Sequence, residues 1–80
     1  MIETLQDRLA KAEEKLAVVN SFVTGQRELV AKWERDGRDC TAAKELLATY
    51  EGLQKVHAEH RDRLLKETEE SDIAQSNAAV

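Results

Sequence analysis

"ERDGRDC", Glu34 to Cys40, is the stretch on which the fold turns. The residues on either side read as long amphipathic helices, and this heptapeptide reads as the connection between them. Asp36, Gly37 and Asp39 carry the turn. Gly37 suits the position just past a helix end, where a left-handed backbone is cheapest without a Cβ. Asp39 suits the N-cap of the next helix, its carboxylate accepting from the backbone N–H groups that follow. A connection of residues 36–39 makes the two helices antiparallel neighbours.

Upstream, Ile2, Leu5, Leu9, Ala12, Leu16, Val19, Val23, Gln26, Val30 and Trp33 recur at alternating spacings of three and four. That is a heptad seam with one polar member, Gln26, and it predicts a helix over about residues 2–35. "NSFVTG", residues 20–25, is its weak point, because Asn20, Ser21, Thr24 and Gly25 are poor helix formers. The heptad phase passes through this segment intact, so one continuous helix is expected. Downstream, a second helix is expected over about residues 40–68. Its inward side is read as Ala43, Leu46, Tyr50, Leu53, His57, His60 and Leu64. Glu51 with Lys55, Glu59 with Arg63 and Asp62 with Lys66 have the acid-first i,i+4 order that supports a helix locally. From residue 71 the text "SDIAQSNAAV" has no period. It reads as a flexible tail, 71–80, on a hairpin spanning residues 1–70.

Folding the chain at Gly37 sets Trp33 near Ala43 and Ala12 near Leu64, large against small at both places. It also sets Gln26 near Tyr50. A buried amide needs a partner, so Gln26 and Tyr50 are read as a pair that fixes register.

Composition agrees with an all-α hairpin. Proline is absent, glycine occurs three times, charged residues make up 35% and aromatics 4%, a balance typical of long helices and coiled coils. The net charge of −4, with both signs mixed along the chain, argues against a nucleic-acid binder, which needs a basic face. No apolar run approaches the length of a membrane span, and "MIETLQDRLAKAEEKL" lacks the apolar core of a signal peptide. A cytoplasmic protein is expected.

Two helices alone bury one stripe each, and this chain has apolar surface to spare. Val18, Phe22 and Leu29 form a second ridge beside the first seam, with Gly25 between the last two. Leu47 and Val56 add to it on the second helix. With Trp33, these residues are the expected interface. An 80-residue chain is small for a self-sufficient core. The expected answer is a homodimer that closes a four-helix bundle; burial of the ridge on a different protein is the alternative.

Candidate chemistry is sparse. Cys40 falls at a helix start, where the dipole favours a thiolate, yet no second cysteine exists to pair with it. "HAEH" puts His57 and His60 at i and i+3, two imidazoles that could share a metal or respond to protonation. The pattern is neither the H-E-x-x-H of zinc proteases nor a carboxylate-rich di-iron set. No catalytic constellation, phosphate-binding loop or cofactor motif is visible, so neither an enzyme nor a cofactor is expected.

From Gln26 to Leu65 the chain reads "QRELVAKWERDGRDCTAAKELLATYEGLQKVHAEHRDRLL". This resembles a group of small, mostly alphaproteobacterial helical-hairpin proteins of unknown function, which share L-E-R-D-G-x-D-T and, later, H-x-x-H-R-D-R-L. With a preceding Q-R and an intervening A-x-x-L-L, the pattern is matched at Gln26, Arg27, Glu34, Asp36, Gly37, Asp39, Leu46, Leu47, His57, His60, Arg61, Asp62 and Arg63. Trp33 and Cys40 depart from it, standing where Leu and Thr are expected, and the second departure weakens a redox role for the cysteine. The resemblance implies a bacterial origin and an intact turn, and adds no activity. The functional expectation is therefore a non-enzymatic interaction or regulatory module that self-associates, with a metal- or pH-sensing bundle built on His57 and His60 as the alternative.

Overall fold

The computed structural model describes the backbone of residues 3–78 and the side chains through Ser71. Two helices, α1 (Leu5–Arg35) and α2 (Thr41–Ala78), pack against each other as a hairpin measuring 66 × 24 × 14 Å. Ile2, expected to begin the first seam, and the last two residues of the expected tail lie outside the described residues.

A capping box fixes the start of α1. Asp7 N–H donates to the Thr4 hydroxyl at 3.0 Å, and Thr4 N–H donates to the Asp7 carboxylate at 3.2 Å. Each side chain satisfies a backbone donor the helix leaves open. α1 then runs unbroken through residues 20–25, and the Ser21 hydroxyl donates back to the Ala17 carbonyl.

The end of α1 is a Schellman motif. Arg38 N–H donates to the Trp33 carbonyl and Gly37 N–H to the Glu34 carbonyl, while Gly37 adopts φ +72°, the left-handed conformation this motif demands. The Arg38 guanidinium lies 5.0 Å from the centre of the Trp33 ring, so a cation–π contact stands where the motif often carries a hydrophobic one. The first bond of α2 runs from Lys44 N–H to the Cys40 carbonyl. Cys40 is therefore the N-cap, one residue later than expected. Asp39 still caps, accepting from the Thr41 N–H at 3.0 Å and from its hydroxyl at 2.7 Å.

α2 also runs about ten residues further than expected, to Ala78 rather than Thr68. Nothing in the sequence stops it: after Gly52 there is neither Gly nor Pro, and Glu69, Glu70, Ala74 and Gln75 are good helix formers.

In α1 every described seam residue from Leu5 to Trp33 is buried or half-buried. In α2 the inward positions are Cys40, Ala43, Leu47, Tyr50, Gln54, His57, Arg61, Leu64, Thr68 and Ser71, again spaced three and four. Three expected members are wrong by one residue. Leu46, Leu53 and His60 are exposed, and Leu47, Gln54 and Arg61 take their places. Apolar character suggested the first set, but the turn fixes the rotation of α2 and brings the second set inward. The expected partners Ala12, Ala43 and Leu64 are all buried.

Candidate interaction surface

With the seam at heptad positions a and d, the flanking positions e and g fall on opposite broad faces of the hairpin. One face is polar. Asn20, Arg27 and Glu34, spaced by seven, line α1 there. Gln54 Nε2 donates to Asn20 Oδ1 at 2.8 Å, the Arg27 guanidinium meets the Glu51 carboxylate at 3.1 Å, and the Lys44 ammonium meets Glu34 at 2.9 Å. Glu51 thus reaches across to α1 instead of along α2 to Lys55. Asp62 takes the neighbouring Arg61 guanidinium at 2.8 Å rather than Lys66. The Glu34 pair holds the Lys44 ammonium above its ordinary value, through a hydrogen bond first and charge second.

The other broad face is apolar in its middle. Val18 is 53% exposed, Phe22 51%, Leu46 42%, Leu53 44% and Val56 59%. Leu29, between them, is half-buried. On α1 the stripe reads Lys11, Lys15, Val18, Phe22, Gly25, Leu29; on α2 it reads Leu46, Thr49, Leu53, Val56, His60, Arg63. The Phe22 ring bridges the two helices by stacking on Tyr50, with centroids 5.5 Å apart. An open hollow of about 760 Å³ adjoins the stripe, lined by Val18, Val19, Ala17, Glu14, Lys15 and His57. Toward the open end of the hairpin a second hollow of about 290 Å³ is lined by Arg8, Lys11, Lys15 and His60, with Glu3 and Ala12. This face is therefore an apolar centre continued by a basic band, beyond which the α2 stripe carries Glu67 and Glu70.

The expected interface residues divide. Val18, Phe22 and Val56 lie exposed on the apolar face, with half-buried Leu29 beside them. Trp33 and Leu47 belong to the seam, where the hairpin already half-buries them. Leu46 and Leu53, which sequence reasoning placed inside, are the larger part of the α2 contribution. Their apolar character was legible and their side of the helix was not. A further exposed leucine, Leu65, lies off this stripe, at an e position.

Gln26 does not pair with Tyr50. Its amide donates to the Ala43 carbonyl at 3.0 Å, because the seam brings the backbone of α2 within reach. The Tyr50 ring is taken by Phe22.

The remaining candidates are structural or uncommitted. Cys40 is a free, buried thiol that donates to the Arg38 carbonyl at 3.3 Å and lies 3.8 Å from the Val30 carbonyl. It locks the turn onto α1. His57 is half-buried in the seam and His60 is exposed one face over. Among the described residues no three His, Cys, Asp or Glu side chains gather in a way that could hold a metal ion, and no helix is long and apolar enough to cross a membrane.

Comparison with protein-family models, with curated proteins and with solved structures finds no match to this chain.

Proposed function

We propose that this chain is a non-enzymatic protein-interaction module that works by self-association, two hairpins closing a four-helix bundle over their apolar faces. The observation that carries this reading is the division of the hairpin into two unlike faces. Cross-helix ion pairs and hydrogen bonds occupy one, and five large apolar side chains, each about half in water, occupy the other. Completing their burial contributes roughly 1 kcal/mol per side chain, on both copies at once. The face has room: a specific dimer needs about 800 Å² per partner, about half of a 66 × 24 Å surface. A cytoplasmic setting goes with this reading, since the free Cys40 thiol serves packing.

Sedimentation equilibrium of the purified chain tests it. A dimer is expected, unaffected by reductant or chelator. Phe22→Lys and Leu53→Lys, on exposed positions, are expected to give monomers that keep their helical circular dichroism. A wild-type chain that stays monomeric at millimolar concentration would remove the reading. A dimer that dissociates on chelation would replace it with one bridged by metal through His57 and His60.

A further inference from the structure

Gly25 is a glycine that the hairpin does not need. It sits mid-helix, its φ is not positive, and a Cβ added there meets nothing within 4 Å. In a helix it is less favourable than alanine, as is Gly52, which shares these features on the outer side of α2; what sets Gly25 apart is its place. It lies on the apolar face, one turn from Phe22, whose ring is half in water.

Resting on the self-association reading, we propose that the partner is a second copy laid upside down, its turn over the open end of the first, with each Phe22 ring seated on Gly25 of the other copy. The two-fold axis crosses the helices midway between Phe22 and Gly25, and α1 packs antiparallel on α1 of the second copy. Most of the stripe then follows. Val18 meets Leu29 and Lys11 meets Asp36. On α2 the same operation sets Leu46 on Val56, Leu53 on Thr49 and Arg63 on Asp39. The cross-helix contacts Phe22–Tyr50, Asn20–Gln54 and Arg27–Glu51 set residue 51, the midpoint of the α2 pairs, beside the stretch 21–27 of α1, and the midpoint of the α1 pairs, between residues 23 and 24, falls within that stretch.

The other two-fold arrangement, with both turns at one end, also covers the apolar centre. It fails on charge. Lys11 and Lys15 of each copy would face His60 and Arg63 of the other, and Asp36 would face Asp39. Inversion replaces these conflicts with Lys11 on Asp36 and Arg63 on Asp39, sets His60 on Ala42, and leaves Lys15 against Lys32 at two symmetry-related places. Lys11 already holds Glu3 at 2.6 Å in an exposed pair, which is weak enough to exchange or share.

Cross-linking between full-length chains tests the arrangement. In a Cys40→Ala background, Lys11→Cys mixed with Asp36→Cys is expected to give a disulfide-linked dimer under mild oxidation, with helicity checked for each variant. A link from Lys11→Cys mixed with His60→Cys instead, or none from either mixture in a chain that sedimentation shows to be dimeric, would overturn the inverted arrangement while leaving self-association standing. A chain that sediments as a monomer would overturn both. Separately, Gly25→Ala is expected to weaken dimerisation at least tenfold while raising helicity; unchanged or tighter dimerisation would overturn the Phe22 seat.

Discussion

Single side chains at the helix starts hold the ends of this hairpin, and two of them are aspartates. Asp39 is kept below its ordinary value of 3.8 by the Thr41 hydroxyl and then the Thr41 N–H. Asp7 is kept below it by the Thr4 N–H, then the Thr4 hydroxyl and Lys11. A carboxyl with a lowered folded value contributes stability above its unfolded value and loses it as pH falls through the folded one. Thermal melts are therefore expected to worsen once pH drops below about 4. Asp39→Asn, which still caps but does not titrate, is expected to show a shallower acid loss; an identical acid limb would remove Asp39 from the account. The Thr4 box was legible in the sequence as a Thr followed three residues later by an acid, and reading it would have moved the helix start from Ile2 to Leu5. The Gln26 partner was not legible, because a backbone carbonyl leaves no trace in a pattern of side chains.

The two helices were unequally readable for a physical reason. In α1 the apolar residues at the seam are unbroken from Leu5 to Val23 and resume at Val30 after Gln26, so burial and sequence pattern agree. In α2 the seam carries Gln54, His57 and Arg61, while Leu46, Leu53 and Val56 lie beside it. A reading that rewards apolar residues drifts by one position there, toward the exposed apolar stripe. The fold class, the turn and the continuity of α1 survive that drift because they depend on glycine placement and heptad phase, not on which leucine points inward. The polar members of α2 also make that stretch the weaker part of the shared seam. Arg61 occupies an inward position with its side chain 34% exposed and only a surface pair to Asp62, a pair worth under about 1 kcal/mol. Arg61→Leu is expected to stabilise the hairpin by about 1–2 kcal/mol, seen as a higher urea midpoint at unchanged slope. A lower midpoint would mean that the guanidinium stem already packs better than a leucine would.

Taken whole, the molecule is a slab with a polar side, an apolar side and a basic band near its open end, and the proposed dimer would carry that charge layout into solution. Attractive end contacts are screened by salt and repulsive ones are relieved by it. Inverted copies are therefore expected to bind a few-fold more weakly at 0.5 M than at 0.05 M sodium chloride, given the modest worth of exposed pairs; tighter binding at high salt would mean that repulsion between two copies of net charge −4 outweighs the end contacts. The Schellman turn has a consequence of another kind. Contacts across the hairpin grow more distant in sequence with every step away from Gly37, so the entropy lost in closing them is smallest at the turn. Folding should nucleate where Val30, Cys40 and Ala43 meet and close like a zipper toward Leu64 and Ala12. Gly37→Ala, strained by the positive φ, is then expected to act chiefly on the refolding rate, and Leu64→Ala chiefly on the unfolding rate, in stopped-flow chevrons.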